Sequence, residues 1–193
     1  MKDKTFFSVG CVLMAAGNAS RFGKNKLMAV IRGRTLIRRA MDAVPADRLA
    51  AVCVVTQYDE VEEIAREYGF SCIRNDHPEW GLSYSVRLGT EALRDNCDAI
   101  LFMVADQPFL RRESLEELVD LWRSEPERIV SASHSGRRGN PCIFPGKYFP
   151  ELCALTGDVG GSAVIRQHED QLLLMEFDPM ELRDIDTPED IER

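Results

Sequence analysis

The chain has 193 residues, 45% hydrophobic and 29% charged, which are the proportions of a single folded domain with one core and not those of a disordered chain. Its 32 Asp and Glu outnumber 24 Lys and Arg, and a net charge of −8 excludes a broad electrostatic footprint for nucleic acid or an anionic membrane, so an anionic ligand must meet cations concentrated locally. No apolar run reaches membrane-spanning length, the apolar start is broken by Gly10 and does not read as a signal peptide, and the six cysteines lack a C-x-x-C pair, which reads as core thiols in a reduced, cytoplasmic protein.

Along the chain, short apolar runs rich in β-branched residues alternate with segments of helical period, the pattern of a mainly parallel sheet covered by helices. The first strand is expected at residues 9–15. In "TLIRRAMDAV", Leu36, Ile37, Ala40, Met41 and Val44 share one helical face, and the next strand falls at 50–56. Val61, Ile64, Ala65 and Tyr68 follow at three- and four-residue spacing, and Gly69 reads as the stop of that helix. A short strand at 71–73 precedes a helix that Ser83 or Ser85 could start. "AILFMVAD", 99–106, is apolar until its last residue, as in a central strand buried on both faces. An amphipathic helix bearing Leu115, Leu118, Val119 and Trp122 comes next. "RIVSAS", "PCIF" and "QLLLMEF" are expected strands, with "GSAVIRQH" a helix between the last two.

In open α/β sheets ligands collect at the carboxyl ends of strands, so the polar residues closing each buried run are the first candidates. After strand one comes "AAGNASRFGKNK", with Gly17, Gly23, Arg21, Lys24 and Lys26. Glycines there let backbone N–H groups approach phosphate oxygens, and the cations offset their charge. Five residues separate the two glycines and Lys24 precedes Asn25, so this is no Walker A loop, and no G-x-G-x-x-G is present. On spacing alone an anion-binding loop and a solvated turn stay equally open. "SGRRGN", 135–140, is a weaker second cationic cluster.

Asp106 ends a run too apolar to leave a carboxylate unpaired. Pro108 and Glu113-Ser114 put the next helix start further on, which favours metal or substrate contact over capping. Asp184 and Asp186 flank Ile185, so in an extended segment both face one side, an arrangement suited to Mg²⁺ with its one or two protein carboxylates. "DTPED" also reads as a helix start with Pro188 in the first turn, and the two readings are compatible. His77, His134 and His168 form no metal or triad pattern, and no serine sits in a G-x-S-x-G elbow.

Taken in order, "MAAGNASRFGKNK", "NDHPEWGLSYS", "ADQP", "GNPCIF", "GDVGG" and "DIDTPED" resemble the molybdenum cofactor nucleotidyltransferase family, specifically its cytidylyltransferase branch, from Val12 to Asp190. The resemblance implies one domain over 1–193 with a Rossmann-like three-layer α/β/α fold. It implies transfer of CMP from CTP to the phosphate of molybdopterin, with Mg²⁺ as cofactor. Ala15, Ala16 and Gly17 would hold the nucleotide, with Arg21 and Lys26 on the triphosphate; Asn75 and Ser85 lie where relatives contact the base; Asp106 with Asp184 or Asp186 would hold the metal. Alanine at position 16, where the guanylyl branch has glycine, fits a pocket narrowed against purines. Two positions depart from the family: its loop serine falls at Ala19, and the arginine that often follows G-D-x-G-G is Ser162. The rival expectations are a guanylyl or other nucleotidyltransferase of this fold, and a non-catalytic protein that passes finished cofactor to a molybdenum hydroxylase. A pure binder has no need of the set Arg21, Lys26, Asp106 and Asp184/Asp186.

Overall fold

The computed structural model describes residues 7–17 and 25–191. Arg21, Lys24 and Ala19 therefore lie outside the described residues.

Seven strands form one sheet in the order β5-β4-β1-β6-β8-β7-β9. They are β1 (Val9–Ala15), β4 (Ala51–Thr56), β5 (Ser71–Arg74), β6 (Ala99–Val104), β7 (Ile129–His134), β8 (Arg137–Pro145) and β9 (Leu172–Glu176). β2 (Val30–Ile31) and β3 (Arg34–Thr35) make a separate small hairpin. β1 pairs in parallel with both β4 and β6, β4 with β5, and β7 with β9, while β8 runs antiparallel to both its neighbours, β6 and β7. One reversed strand thus sits in an otherwise parallel sheet, which the apolar run "PCIF" did not disclose.

Helices cover both faces, and the pleat of β1 assigns them. Val9, Cys11, Leu13 and Ala15 point to the face covered by α1 (Leu36–Ala43), α2 (Asp59–Glu67) and α4 (Arg112–Ser124), where Ile37, Met41, Val61, Ile64, Leu115, Leu118 and Trp122 pack. Val12 points to the other face, beneath α3 (Leu82–Leu93), α5 (Phe149–Ala154) and α6 (Ser162–Gln167), with Val86, Leu152, Val164 and Ile165. This is the three-layer α/β/α arrangement. The helical stripes expected for α1, α2 and α4 face the core, because each was spaced at three and four residues. Thr35 caps α1, its hydroxyl accepting from the Arg38 N–H at 3.4 Å, and Gly69 follows α2 at a φ of +72°.

The start of α3 differs from expectation. Neither Ser83 nor Ser85 caps it: both lie inside the helix and are buried. The caps come from a segment far along the chain, with Ser83 N–H donating to the Gly157 carbonyl at 3.2 Å and Leu82 N–H to Asp158 Oδ1 at 3.3 Å. Gly81, just before the helix, has φ +85° and ψ −175°, backbone that only glycine adopts readily.

The closing segment, 177–191, has little regular structure and is anchored by side chains. Buried Glu181 accepts from the Arg111 N–H at 2.9 Å, from Arg111 Nη2 at 2.8 Å and from the Ser114 hydroxyl at 3.1 Å. Ile185 is fully buried with Ile31 and Leu36. A short 3-10 turn, Pro188–Asp190, starts where "DTPED" was expected to start a helix, and it carries a capping box, with Asp190 accepting from both the Thr187 N–H and hydroxyl. Among the described residues no helix is long and apolar enough to cross a membrane.

Candidate active site

β1 and β6 run side by side, with Met14 opposite Val104, so the residues after them leave the sheet at the same rim. The Ala105 N–H donates to the Met14 carbonyl at 3.1 Å, and the Ile185 N–H donates to the Asp106 carbonyl at 2.9 Å. Three distant segments are thereby stitched together: the first loop, the "ADQP" turn and the closing "DIDTPED".

Lys26 sits at their junction. It opens a 3-10 turn, Lys26–Met28, whose first residues are ordered by Asn25 Oδ1 accepting from the Leu27 N–H at 3.1 Å. Its ammonium donates to Asp106 Oδ2 at 2.8 Å, to Asp186 Oδ1 at 3.1 Å and to the Ile185 carbonyl at 3.1 Å. Three donors meet three acceptors. Burial alone pushes Lys26 down; contact with Asp106 and Asp186 outweighs it and holds the ammonium above its ordinary range, so it stays charged at neutral pH. Asp106 serves as no helix cap, since α4 begins at Arg112.

Asp184 keeps part of its surface in solvent, yet desolvation, followed by repulsion from Asp106, raises its carboxyl above the usual range, with Asp186 adding to the rise; Gln107 and Lys26 oppose it. Ile185 points into the core while its two acidic neighbours stay at the surface, as the alternation requires. Among the described residues no three His, Cys, Asp or Glu side chains are gathered as a ready cage for a cation. The surplus among these described residues, three carboxylates against one ammonium, nonetheless fits a hard divalent ion that takes few protein ligands and completes its shell with phosphate oxygens.

The backbone of the first loop is held from behind by the residues ending β4. Thr56 Oγ1 donates to the Ala15 carbonyl at 3.1 Å, Gln57 Nε2 to the Ala16 carbonyl at 2.8 Å, and the Tyr58 hydroxyl to the Gly17 carbonyl at 2.9 Å. Consecutive side chains thus grip consecutive carbonyls. In a trans peptide C=O and N–H point oppositely, so this grip aims the N–H groups of Ala16 and Gly17 away from β4. Sequence reasoning missed these three residues. The available signal was the polar "TQY" closing a buried strand beside β1.

A cleft of about 550 Å³ opens there, lined by Ala15, Ala16, Gly17, Lys26, Asn75, Ser85 and Asp106 together with Glu79, Gly81, Leu82 and Asp158. Seven of the sequence-predicted residues therefore line one cleft. Asp186 joins them through Lys26, and Asp184 through the field of Asp106. Buried Asn75 donates to Ser85 Oγ at 3.0 Å and accepts from the His77 N–H at 3.0 Å. Its amide therefore shapes this part of the cleft as well as facing it.

The grip makes a testable claim about the loop. Gln57→Leu combined with Tyr58→Phe removes two donors to the loop carbonyls and should weaken nucleotide binding about tenfold, with a loss of stability of about 2 kcal/mol at one unit per lost bond. Titration calorimetry with nucleotide checks the first and thermal melting the second; unchanged affinity would show that the loop holds its shape without β4.

Residues 11–172 match the model of the MobA-like NTP transferase domain. The chain is similar to the purine catabolism protein PucB of Bacillus subtilis, 30% identical over 191 residues, covering 93% of this chain and 92% of that protein. It is also similar to a 3-deoxy-manno-octulosonate cytidylyltransferase of Francisella philomiragia, 27% identical over 108 residues, covering 55% of this chain and 43% of the relative. Among solved structures, the Rv0371c protein of Mycobacterium tuberculosis superposes with a TM-score of 0.83 at 20% identity, covering 96% of both chains. The same protein has been solved in complex with manganese, with a TM-score of 0.73, 18% identity and 96% coverage of each chain.

Proposed function

The chain belongs to the MobA-like NTP transferase family, and on that premise we propose that it is a molybdenum cofactor cytidylyltransferase, moving CMP from CTP to the phosphate of molybdopterin and releasing pyrophosphate. The observation that carries this reading is the meeting of Lys26 with Asp106 and Asp186 beside a cleft that the Ala15–Gly17 backbone also lines. A fixed cation beside surplus carboxylates and aimed N–H groups is what a polyphosphate and its counter-ion require.

In this reading the N–H groups of Ala16 and Gly17 receive phosphate oxygens, while Lys26 and Arg21 offset the triphosphate charge. Asp106, with Asp184 or Asp186, would hold Mg²⁺, which would supply charge neutralisation at the phosphates. Asn75 and Ser85 face the base. An oxygen of the acceptor phosphate attacks the α-phosphorus, the bond from that phosphorus to the bridging oxygen breaks, and pyrophosphate leaves with the electron pair. The chain's own contribution is positioning and a preset field, with no covalent step on the protein.

CTP is favoured by the alanine at position 16 and by the similarity to a protein named as a cytidylyltransferase. Similarity over nearly the whole chain to a purine catabolism protein supports service to a molybdenum hydroxylase that acts on purines. The manganese complex of a protein with this fold supports a divalent cation. We take the chain as a single domain working in the cytoplasm.

The test is to supply the protein with Mg²⁺, molybdopterin cofactor and CTP or GTP, and to measure pyrophosphate. Release with CTP and not GTP is expected. Release with GTP alone would move the chain to the guanylyl branch, and cofactor binding without release from either would leave an accessory binder.

A further inference from the structure

A second chamber, of about 210 Å³, adjoins the cleft, and Met14 and Leu82 belong to the walls of both. Its floor is the sheet, where Phe102 and Phe144 meet edge to face with centroids 5.9 Å apart. Its roof is α3, α5 and α6, through Val86, Leu152 and Ile165. All of these are apolar. Arg138, the second residue of β8, joins this lining.

The side chain of Arg138 makes no ion pair or hydrogen bond among the described residues; it is half-buried, and its Nη1 is closed off from solvent without a partner. An N–H of a charged group shut away from water and left unpaired costs free energy, which an acceptor brought by a ligand would offset. The polar groups around it are already engaged or neutral. Ser131 donates to the Gly139 carbonyl at 2.9 Å, Asn140 Oδ1 accepts from the Cys142 thiol at 3.7 Å, and burial holds Cys142 as a thiol pushed up to about 12, with Arg138 only opposing that rise. None is a counter-ion.

We propose that Arg138 pairs with an anionic group, a carboxylate or phosphate, on an acceptor whose flat ring stacks between the phenylalanine floor and the helical roof. Naming the occupant as the acceptor rests on the transferase reading, because the nucleotide site lies across the Met14–Leu82 neck. An arginine suits this task, since its planar fork meets either anion through two parallel bonds. The apolar walls then select the ring and the guanidinium selects its substituent.

Binding decides this without turnover. A pterin carboxylate, a pterin phosphate ester and an uncharged methylpterin are titrated, by their own fluorescence, into wild type, Arg138→Gln and Arg138→Lys. Arg138→Gln should weaken both anionic probes about ten- to a hundredfold and leave the uncharged one unchanged. Arg138→Lys should recover part of the loss, and whichever anion binds wild type more tightly identifies the substituent. Adding Ser162→Arg, which lines the same chamber from α6, to Arg138→Gln should restore affinity, while CTP binding and melting temperature stay level throughout. Equal affinity of wild type and Arg138→Gln for the anionic probes overturns the proposal, as does failure of wild type to bind any of the three. If the anion dependence holds but pyrophosphate release fails, the transferase reading falls and the anion site stands.

Discussion

Replacing Asp106 with alanine should lower pyrophosphate release by at least about a thousandfold, with the fold retained. Asp106 is the strongest partner of Lys26, at 2.8 Å, and its backbone carbonyl anchors the closing acidic segment through Ile185. The substitution spares that backbone bond and removes only the carboxylate. Two effects on stability oppose one another. Lys26 loses one of three acceptors, which costs about 1–3 kcal/mol for a charged group with limited solvent access. Asp184 loses the repulsion that raises its carboxyl, which returns part of that sum. The melting temperature should therefore fall by only a few degrees. Steady-state pyrophosphate release and a melting curve on one preparation check both halves. Activity within tenfold of wild type would remove Asp106 from the reacting centre.

Gly81→Ala should be far more damaging to the fold. A Cβ at this position would lie 2.6 Å from both the carbonyl carbon and oxygen of Gly157 and 2.7 Å from the Asp158 nitrogen, and the backbone sits at φ +85°, where an alanine is strained in any case. The obstructing atoms are backbone, so no side chain can swing aside. Strain of about 1–3 kcal/mol plus a comparable overpacking cost should lower the melting temperature by about 10 °C. The same shift pushes Gly157 and Asp158 away from the start of α3, whose N–H groups they cap. Gly81 and Asp158 also line the cleft, so the Michaelis constant for nucleotide should rise along with the loss of stability. A melting temperature within about 2 °C of wild type, at unchanged nucleotide affinity, would show that the contact is loose.

What the sequence disclosed depended on whether the cause was local. β1 and β6 were legible because strands buried on both faces are apolar throughout, and Asp106 stood out because a carboxylate ended such a run. The helical faces were legible from spacing. The caps of α3 were not, because their donors and acceptors are 74 to 76 residues apart, and a nearby serine offered a plausible local substitute. The ion pair of Lys26 with Asp106 spans 80 residues, so each member could be suspected alone but the pairing could not be read. The β4 grip was hidden for the same reason. β2 and β3, two residues each, carry too little pattern to register, and α5 is only six residues long. The resemblance supplied the assembly of scattered motifs that spacing alone left apart.

The direction of β8 has one more consequence. In a parallel strand, the rim beside Asp106 receives residues that follow the strand; in β8, which pairs Phe102 with Cys142 in the opposite sense, that rim receives the residues at its entrance, Arg138 to Asn140. The two halves of this rim are consequently carried on separate stretches of chain, the exits of β1 and β6 on one side and the hairpin joining β7 to β8 on the other, which share no turn. An insertion or exchange in the 135–140 hairpin can reshape one half without altering the exit of β1 or β6. A single inverted strand thus gives the fold a modular border, one part of which can change in length and charge while the strand ends that carry Asp106 and the first loop are kept.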